Sequence, residues 1–296
     1  MDCGGVKLAE NRKVGFIGTG VMGKSLVKHL LNAGLEVIFY TRTKEKAEDL
    51  ITLGATYAHN PSEVAKNVHI LFTMVGYPYD VEEIYFGENG IFRVDNEGLI
   101  VIDMTTSTPT LAQKIDNAAK EKGMLSLDAP VSGGDIGAQS GKLSIMCGGD
   151  QETFDQVLPF LNYFGTTIVY QGPAGAGQHT KMCNQITIAS TMIGVCESLA
   201  YGKAAGLDLE QVLCSISTGA AGSWSLSNLA PRMIVGDYEP GFYMKHFVKD
   251  MGIALDEADK MNLKLPGLQL AKSMYDELVA EGYENNGTQA LITIYK

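Results

Sequence analysis

Short apolar runs alternate with amphipathic stretches through about the first 170 residues. Residues 14–19, VGFIGT, are followed by apolar positions Val21, Met22, Leu26, Val27, Leu30 and Leu31, and then by Gly34 where a helix would end. That order predicts a strand and then a helix. A second run, EVIFY at 36–40, leads into a charged helical stretch over 44–53 closed by Gly54. The same reading predicts strands at 69–74, 99–103, 125–128, 143–148 and 166–170. Between some of them lie helices at 108–122, opened by a Thr-Pro cap signal, and at 151–162. Strands alternating with helices predict a mostly parallel sheet covered on both faces.

The pattern changes at the Gly/Pro-rich segment 171–177, QGPAGAG, after which strand signals largely vanish. Residues 178–205 read as one long helix. Its apolar and small residues occupy nearly the whole circumference, which predicts a helix at the centre of a bundle or in a dimer interface. Further helices are expected over 208–217, 249–261 and 268–281. The expected organisation is an α/β domain over 1–172 and an all-helical domain over 173–296, and 296 residues suit two domains of about 150 each.

Composition narrows the functions. With 45% hydrophobic and 19% charged residues the chain is not intrinsically disordered. A net charge of −11 disfavours nucleic acid and anionic membranes as partners, so an anionic ligand needs a local positive site. No apolar run is long enough for a signal peptide or a membrane span, which predicts a cytoplasmic protein. Cys3, Cys147, Cys183, Cys196 and Cys214 show no CxxC or Cys/His ligand spacing. Reduced thiols are expected, with neither disulfides nor a metal.

Gly18-Thr19-Gly20-Val21-Met22-Gly23 is GxGxxG between a predicted strand and a predicted helix, the context of a dinucleotide-binding Rossmann unit. Gly18 permits the tight turn, Gly20 admits a pyrophosphate to the backbone, Gly23 allows close helix packing, and the helix N-terminus supplies donors and partial positive charge. The next strand ends in Tyr40-Thr41-Arg42-Thr43, without the Asp or Glu that binds an NAD ribose. Arg42, with Thr41 and Thr43, is suited to a 2′-phosphate, so the reading leans to NADP over NAD. A triphosphate loop at 172–177 is rejected, because Gln178 stands where lysine is required.

Together with Asp128-Ala-Pro-Val-Ser132-Gly133-Gly134 and Gly175-Ala-Gly-Gln-His-Thr-Lys181-Met-Cys-Asn184, the glycine motif resembles the β-hydroxyacid dehydrogenase family over essentially the whole chain. The resemblance implies a nicotinamide Rossmann domain, a helical C-terminal domain, and a cleft between them. There, hydride passes between the cofactor and a small β-hydroxy acid or semialdehyde carboxylate. It makes Lys181 the general acid/base. A lysine has a reference pKa of about 10.4, so burial would have to lower it for the oxidative direction. Asn184 and Gln185 follow at i+3 and i+4, on the same helix face. Gln185 departs from the family's Asn, and its added methylene is expected to carry the amide outward.

The resemblance further implies that Ser132, Gly133 and Gly134 hold the substrate carboxylate. Met74, Val75, Thr106 and Lys249 would touch the cofactor. Trp224 would approach the substrate, or alternatively belong to the core, and Phe242, Lys249 and Asp250 match the family's Phe-to-Lys-Asp pattern. The expected partners are a small carboxylate and further copies of the chain, as a homodimer or homotetramer. Two other readings stay open: a catalytically silent cofactor-binding protein, and a 6-phosphogluconate dehydrogenase-like enzyme, which usually carries His-Asn where this chain has Asn184-Gln185.

Overall fold

The computed structural model describes residues 13–295; Cys3 lies outside them. The chain forms two compact units, Met1–Lys181 and Met182–Lys296.

The first unit is built on one sheet. Strands β1 (Val14–Ile17), β2 (Val37–Tyr40), β3 (Thr56–Tyr57), β4 (Ile70–Thr73), β5 (Ile100–Asp103) and β6 (Leu125–Asp128) lie parallel in the order β3-β2-β1-β4-β5-β6. The sheet continues through β8 (Leu143–Gly149), which runs antiparallel to β6 and to β7 (Val131–Ser132), while β9 (Gly165–Gly172) pairs parallel with β8.

Alternate residues of the central strands serve different cores. Phe16, Phe72 and Ile102 join Leu26, Leu30 and Phe164 on one face, whereas Ile17, Leu71 and Val101 join Val64, Ile84 and Ile115 on the other. Both faces are therefore dry, which is why these strands read as unbroken apolar runs rather than alternating ones.

The covering helices are α1 (Val21–Asn32), α2 (Glu48–Thr52), α3 (Pro61–Lys66), α4 (Pro78–Phe86), α5 (Pro109–Glu121), α6 (Gly134–Ser140) and α7 (Gln151–Leu161). Thr108 caps α5 by accepting from Leu111 N–H, and Asp150 caps α7 by accepting from Thr153 N–H. The single charged helix expected over 44–53 is instead a 3-10 turn, Lys44–Ala47, followed by the short α2; neither start has a side-chain cap.

The second unit is helical: most of α8 (Ala176–Ala204), then α9 (Leu209–Ile216), α10 (Trp224–Asn228), α11 (Ala230–Val235), α12 (Met244–Lys260) and α13 (Pro266–Ala280), closed by a 3-10 segment, Thr288–Tyr295. Met192, Phe247, Met251, Ala271 and Tyr275 lie in its core. The Phe247 and Tyr275 rings meet edge to face at 5.2 Å, and Tyr275 donates to Thr288 O. Within one copy of the chain the burial of α8 is one-sided, so its own unit does not enclose the whole circumference, as a place at the centre of a bundle would require. Met182, Gln185, Ala189, Met192, Cys196 and Leu199 are buried, while Cys183, Thr187, Ser190, Gly194, Glu197 and Tyr201 form an exposed stripe. Most of the exposed positions are small or polar; Tyr201 is a large side chain left 76% exposed. No described helix is long and apolar enough to cross a membrane.

Candidate functional site

β1 lies between β2 and β4, and Gly18-Thr19-Gly20 leads from it into α1, at the point where the strand order turns. The three motif glycines have separate reasons to be glycine. Gly18 has φ +95, and a Cβ there would strike the Met74 carbonyl; a Cβ on Gly23 would strike the Gly18 carbonyl. Around Gly20 nothing lies within 4 Å of a built Cβ, so this glycine leaves room above the backbone. The first turn of α1 has no acidic residue and no side-chain cap, leaving its N–H groups and positive dipole end uncompensated by the protein's own carboxylates. Thr19 Oγ1 is buried without a hydrogen-bond partner, Val21 is exposed and Met22 half-buried. These residues fit the pyrophosphate of a dinucleotide.

At the end of β2, Thr41 is half-buried and Thr43 exposed, while Arg42 Nη1 meets Asp80 Oδ1 at 2.9 Å. Asp80 is buried in the first turn of α4. A carboxylate thus does reach the strand end, from 38 residues further along, where local reading could not find it. Met74 N–H continues the sheet by donating to Ile17 O, and Val75 N–H donates to Thr105 Oγ1. Thr106 is half-buried just after β5.

Two buried carboxylates stand in register on neighbouring strands, Asp103 on β5 and Asp128 on β6. Burial pushes the Asp103 carboxyl up to about 6, against hydrogen bonds from Thr105 and Thr73. Burial likewise raises Asp128, although it accepts from Gly175 N–H at 2.7 Å and Gln178 N–H at 2.8 Å. Gln178 is itself buried: its Nε2 donates to Thr105 O and its Oε1 accepts from Ser107 N–H. A Cβ on Gly148 or Gly177 would press on Asp128 or on α8 backbone, so both glycines permit the close approach of this turn. The first turn of α8 is therefore fastened to the ends of β5 and β6, and the buried Lys181 follows Gln178 at i+3. Gln178 has no local sequence signal, because the backbone partners of its side chain lie more than 70 residues away.

Ser132 is half-buried and pairs with Ser144; Gly133 (φ +131) and Gly134 (φ +62) then turn the chain into α6, a conformation that glycine adopts without strain.

In the second unit, Asn184 Nδ2 donates to Gln185 Oε1 at 2.7 Å, and Gln185 Nε2 donates to Asp250 Oδ2 at 2.6 Å. Lys249 Nζ lies 3.0 Å from the other Asp250 oxygen. Gln185 does not reach outward as its length suggested. It is buried, because the Asp250 carboxylate draws its amide inward. His246, one turn before Asp250 on α12, is held below its ordinary pKa by burial and then by Lys249. Trp224 opens α10 behind the Ser223 cap and is 65% exposed, which corrects the core alternative; Phe242 stacks edge-on to Phe247. Burial pushes the thiols of Cys147 and Cys196 up to about 12, and Cys183 and Cys214 are exposed; none of these four is in a disulfide.

The sheet and its glycine turn define a Rossmann-type, NAD(P)-dependent oxidoreductase. Residues 13–172 match the NAD-binding domain of 6-phosphogluconate dehydrogenase, and residues 175–295 match the NAD-binding domain of NADP-dependent 3-hydroxyisobutyrate dehydrogenase. The chain belongs to the β-hydroxyacid dehydrogenase family. It is 60% identical to the uncharacterized oxidoreductase YkwC of Bacillus subtilis, covering 96% of this chain and 99% of that protein. It is 48% identical to the probable 3-hydroxyisobutyrate dehydrogenase-like 1, mitochondrial, of Arabidopsis thaliana, covering 95% and 84%. The solved structure of Mycobacterium tuberculosis 3-hydroxyisobutyrate dehydrogenase with L-serine is similar at TM-score 0.89 and 26% identity, covering 96% of this chain and 99% of that one. The chain is an NAD(P)-dependent hydroxyacid dehydrogenase.

Proposed function

We propose that the chain interconverts a small β-hydroxy acid and its semialdehyde, with a preference for NADP and with Lys181 as general acid/base. The observation that carries this reading is Lys181 itself, buried on α8 one turn after the Gln178 and Asp128 anchorage. A lysine is costly to bury, and one on a fixed helical turn is suited to proton transfer at a defined place.

When bound, the nicotinamide supplies or accepts the hydride. Lys181 Nζ delivers a proton to the developing alkoxide during reduction and takes the hydroxyl proton during oxidation. Ser132 with Gly133 and Gly134 holds the carboxylate through a hydroxyl and backbone N–H groups. Asn184 presents its amide to a substrate hydroxyl. Gly18 to Gly23 and the start of α1 hold the pyrophosphate, and Arg42 with Thr41 and Thr43 holds the 2′-phosphate. Lys249, Met74, Val75 and Thr106 complete the cofactor contacts, and Trp224 faces the substrate. The exposed stripe of α8 supports assembly as a homodimer or homotetramer, and the four free thiols suit a reducing, cytoplasmic setting.

The test is the initial rate of NADPH and NADH oxidation with glyoxylate and with succinic, methylmalonate and tartronate semialdehydes, Lys181→Ala alongside. Turnover of one aldehyde, falling by on the order of a hundredfold or more in the variant while cofactor affinity holds, supports the reading. Cofactor binding without turnover of any aldehyde favours a silent binding protein.

A further inference from the structure

We propose that Gln185 is a positioning residue that sets the polarity of the Asn184 amide, so that the site prefers substrates carrying a hydrogen-bond donor beside the reacting carbon. The inference rests on the reading that Lys181 and Asn184 face the substrate.

A carboxylate only accepts hydrogen bonds, whereas a side-chain amide has a donor end and an acceptor end of nearly the same shape. Asp250 therefore decides which way Gln185 lies. Its Oδ2 accepts from Gln185 Nε2 at 2.6 Å, which leaves Gln185 Oε1 facing the opposite way. That oxygen accepts from Asn184 Nδ2 at 2.7 Å, so the choice is handed on and Asn184 keeps its carbonyl oxygen as the end left to present. Gln185 and Asp250 are 1% exposed, so flipping the Gln185 amide would set its oxygen against the Asp250 carboxylate without water to relieve them. The Lys249 ammonium, 3.0 Å from the second Asp250 oxygen, supplies the countercharge for a buried carboxylate.

Asn184 is half-buried and follows Lys181 at i+3 on α8. An amide oxygen fixed there accepts from a hydroxyl or ammonium on the substrate, a bond that a substrate without such a donor cannot make. The Gln at 185 thus controls selectivity through its neighbour rather than by touching the substrate.

The test compares kcat/KM for 2-hydroxy-3-oxopropanoate and 3-oxopropanoate, which differ by one hydroxyl, in the wild type, Gln185→Met and Asp250→Asn. The wild type is expected to favour the hydroxylated aldehyde by about tenfold, the worth of one hydrogen bond. Gln185→Met is expected to lose most of that ratio while the NAD(P)H dissociation constant is unchanged; Asp250→Asn, which keeps one acceptor oxygen, is expected to lose part of it, and its cofactor affinity is not a control because Asp250 also holds Lys249. An unchanged ratio in folded variants overturns the proposal. Side-chain amide NMR of the wild type with 15N-labelled Asn and Gln provides a readout that needs no turnover. Slow exchange of the Asn184 amide protons supports the relay, and fast exchange overturns it. Lys181→Ala in the same assay separates the two readings: if it stays active, the assignment of the site fails whatever Gln185 does.

Discussion

The carboxylate of Asp128 accepts from Gln178 N–H at 2.8 Å and, through its other oxygen, from Gly175 N–H at 2.7 Å, so one buried side chain closes the first turn of the helix that carries Lys181. Asp128→Ala would leave both N–H groups buried without an acceptor, at a cost of about 1–3 kcal/mol each. A fall in melting temperature of roughly 5–10 °C is expected, together with slower turnover because the lysine loses its support. Asp128→Asn keeps an acceptor and should fall between. A melting temperature unmoved by Asp128→Ala would refute the anchoring role.

Asp103 supplies a pH dependence. Burial raises its carboxyl from 3.8 to about 6, so the fold favours the protonated form. The stability this contributes is full below the ordinary carboxylate range and is lost as pH rises through about 6. Asp103→Asn, which cannot ionise, should therefore gain on the wild type between about pH 4 and about pH 8, by on the order of 2 kcal/mol. Urea unfolding at the two pH values measures the gain, and a constant difference between the proteins argues against it.

Arg42 and Asp80 bear on cofactor choice. Arg42→Ala should weaken NADPH by on the order of tenfold and NADH much less, since only the 2′-phosphate needs the guanidinium. Asp80→Asn removes the negative charge at Nη1 and should shift the preference a few-fold further toward NADPH. Titration of both cofactors by fluorescence decides it; equal losses in Arg42→Ala remove Arg42 from 2′-phosphate recognition.

Gly20 and Gly23 should separate binding from folding. Gly20→Ala meets open space at φ −68 and should melt close to the wild type, yet bind cofactor at least tenfold more weakly because the methyl occupies the pyrophosphate's approach. Gly23→Ala collides with the Gly18 carbonyl and should lower stability by about 1–3 kcal/mol. Wild-type affinity in Gly20→Ala would place the pyrophosphate elsewhere.

Much of this could be read from the chain because the signals are local. VGFI and VIFY are apolar throughout since their strands are covered on both faces, and Thr108-Pro109 announces α5 within two residues. Asn60-Pro61 marks the start of α3 in the same way, with the Asn60 side chain accepting from Glu63 N–H. Strands β3 and β7, of two residues each, are too short to show any period. The partnerships that position the site have no local trace. Arg42 finds Asp80, Gln178 finds Thr105 and Ser107, and Gln185 finds Asp250 across 65 residues, each because a buried polar group must be satisfied by whatever the fold brings near.

The anchorage at the start of α8 has a consequence for how this chain can vary. All four of its contacts, Asp128 to Gly175 N–H and Gln178 N–H and Gln178 to Thr105 O and Ser107 N–H, address the backbone of their partner rather than a side chain. Substitutions at Ala176, His179 or Thr180 therefore leave the fastening intact. A single insertion or deletion between Gln178 and Lys181 would turn the lysine about 100° around the helix axis. The spacing from Gln178 to Lys181 is thus as much a part of the site as the lysine itself.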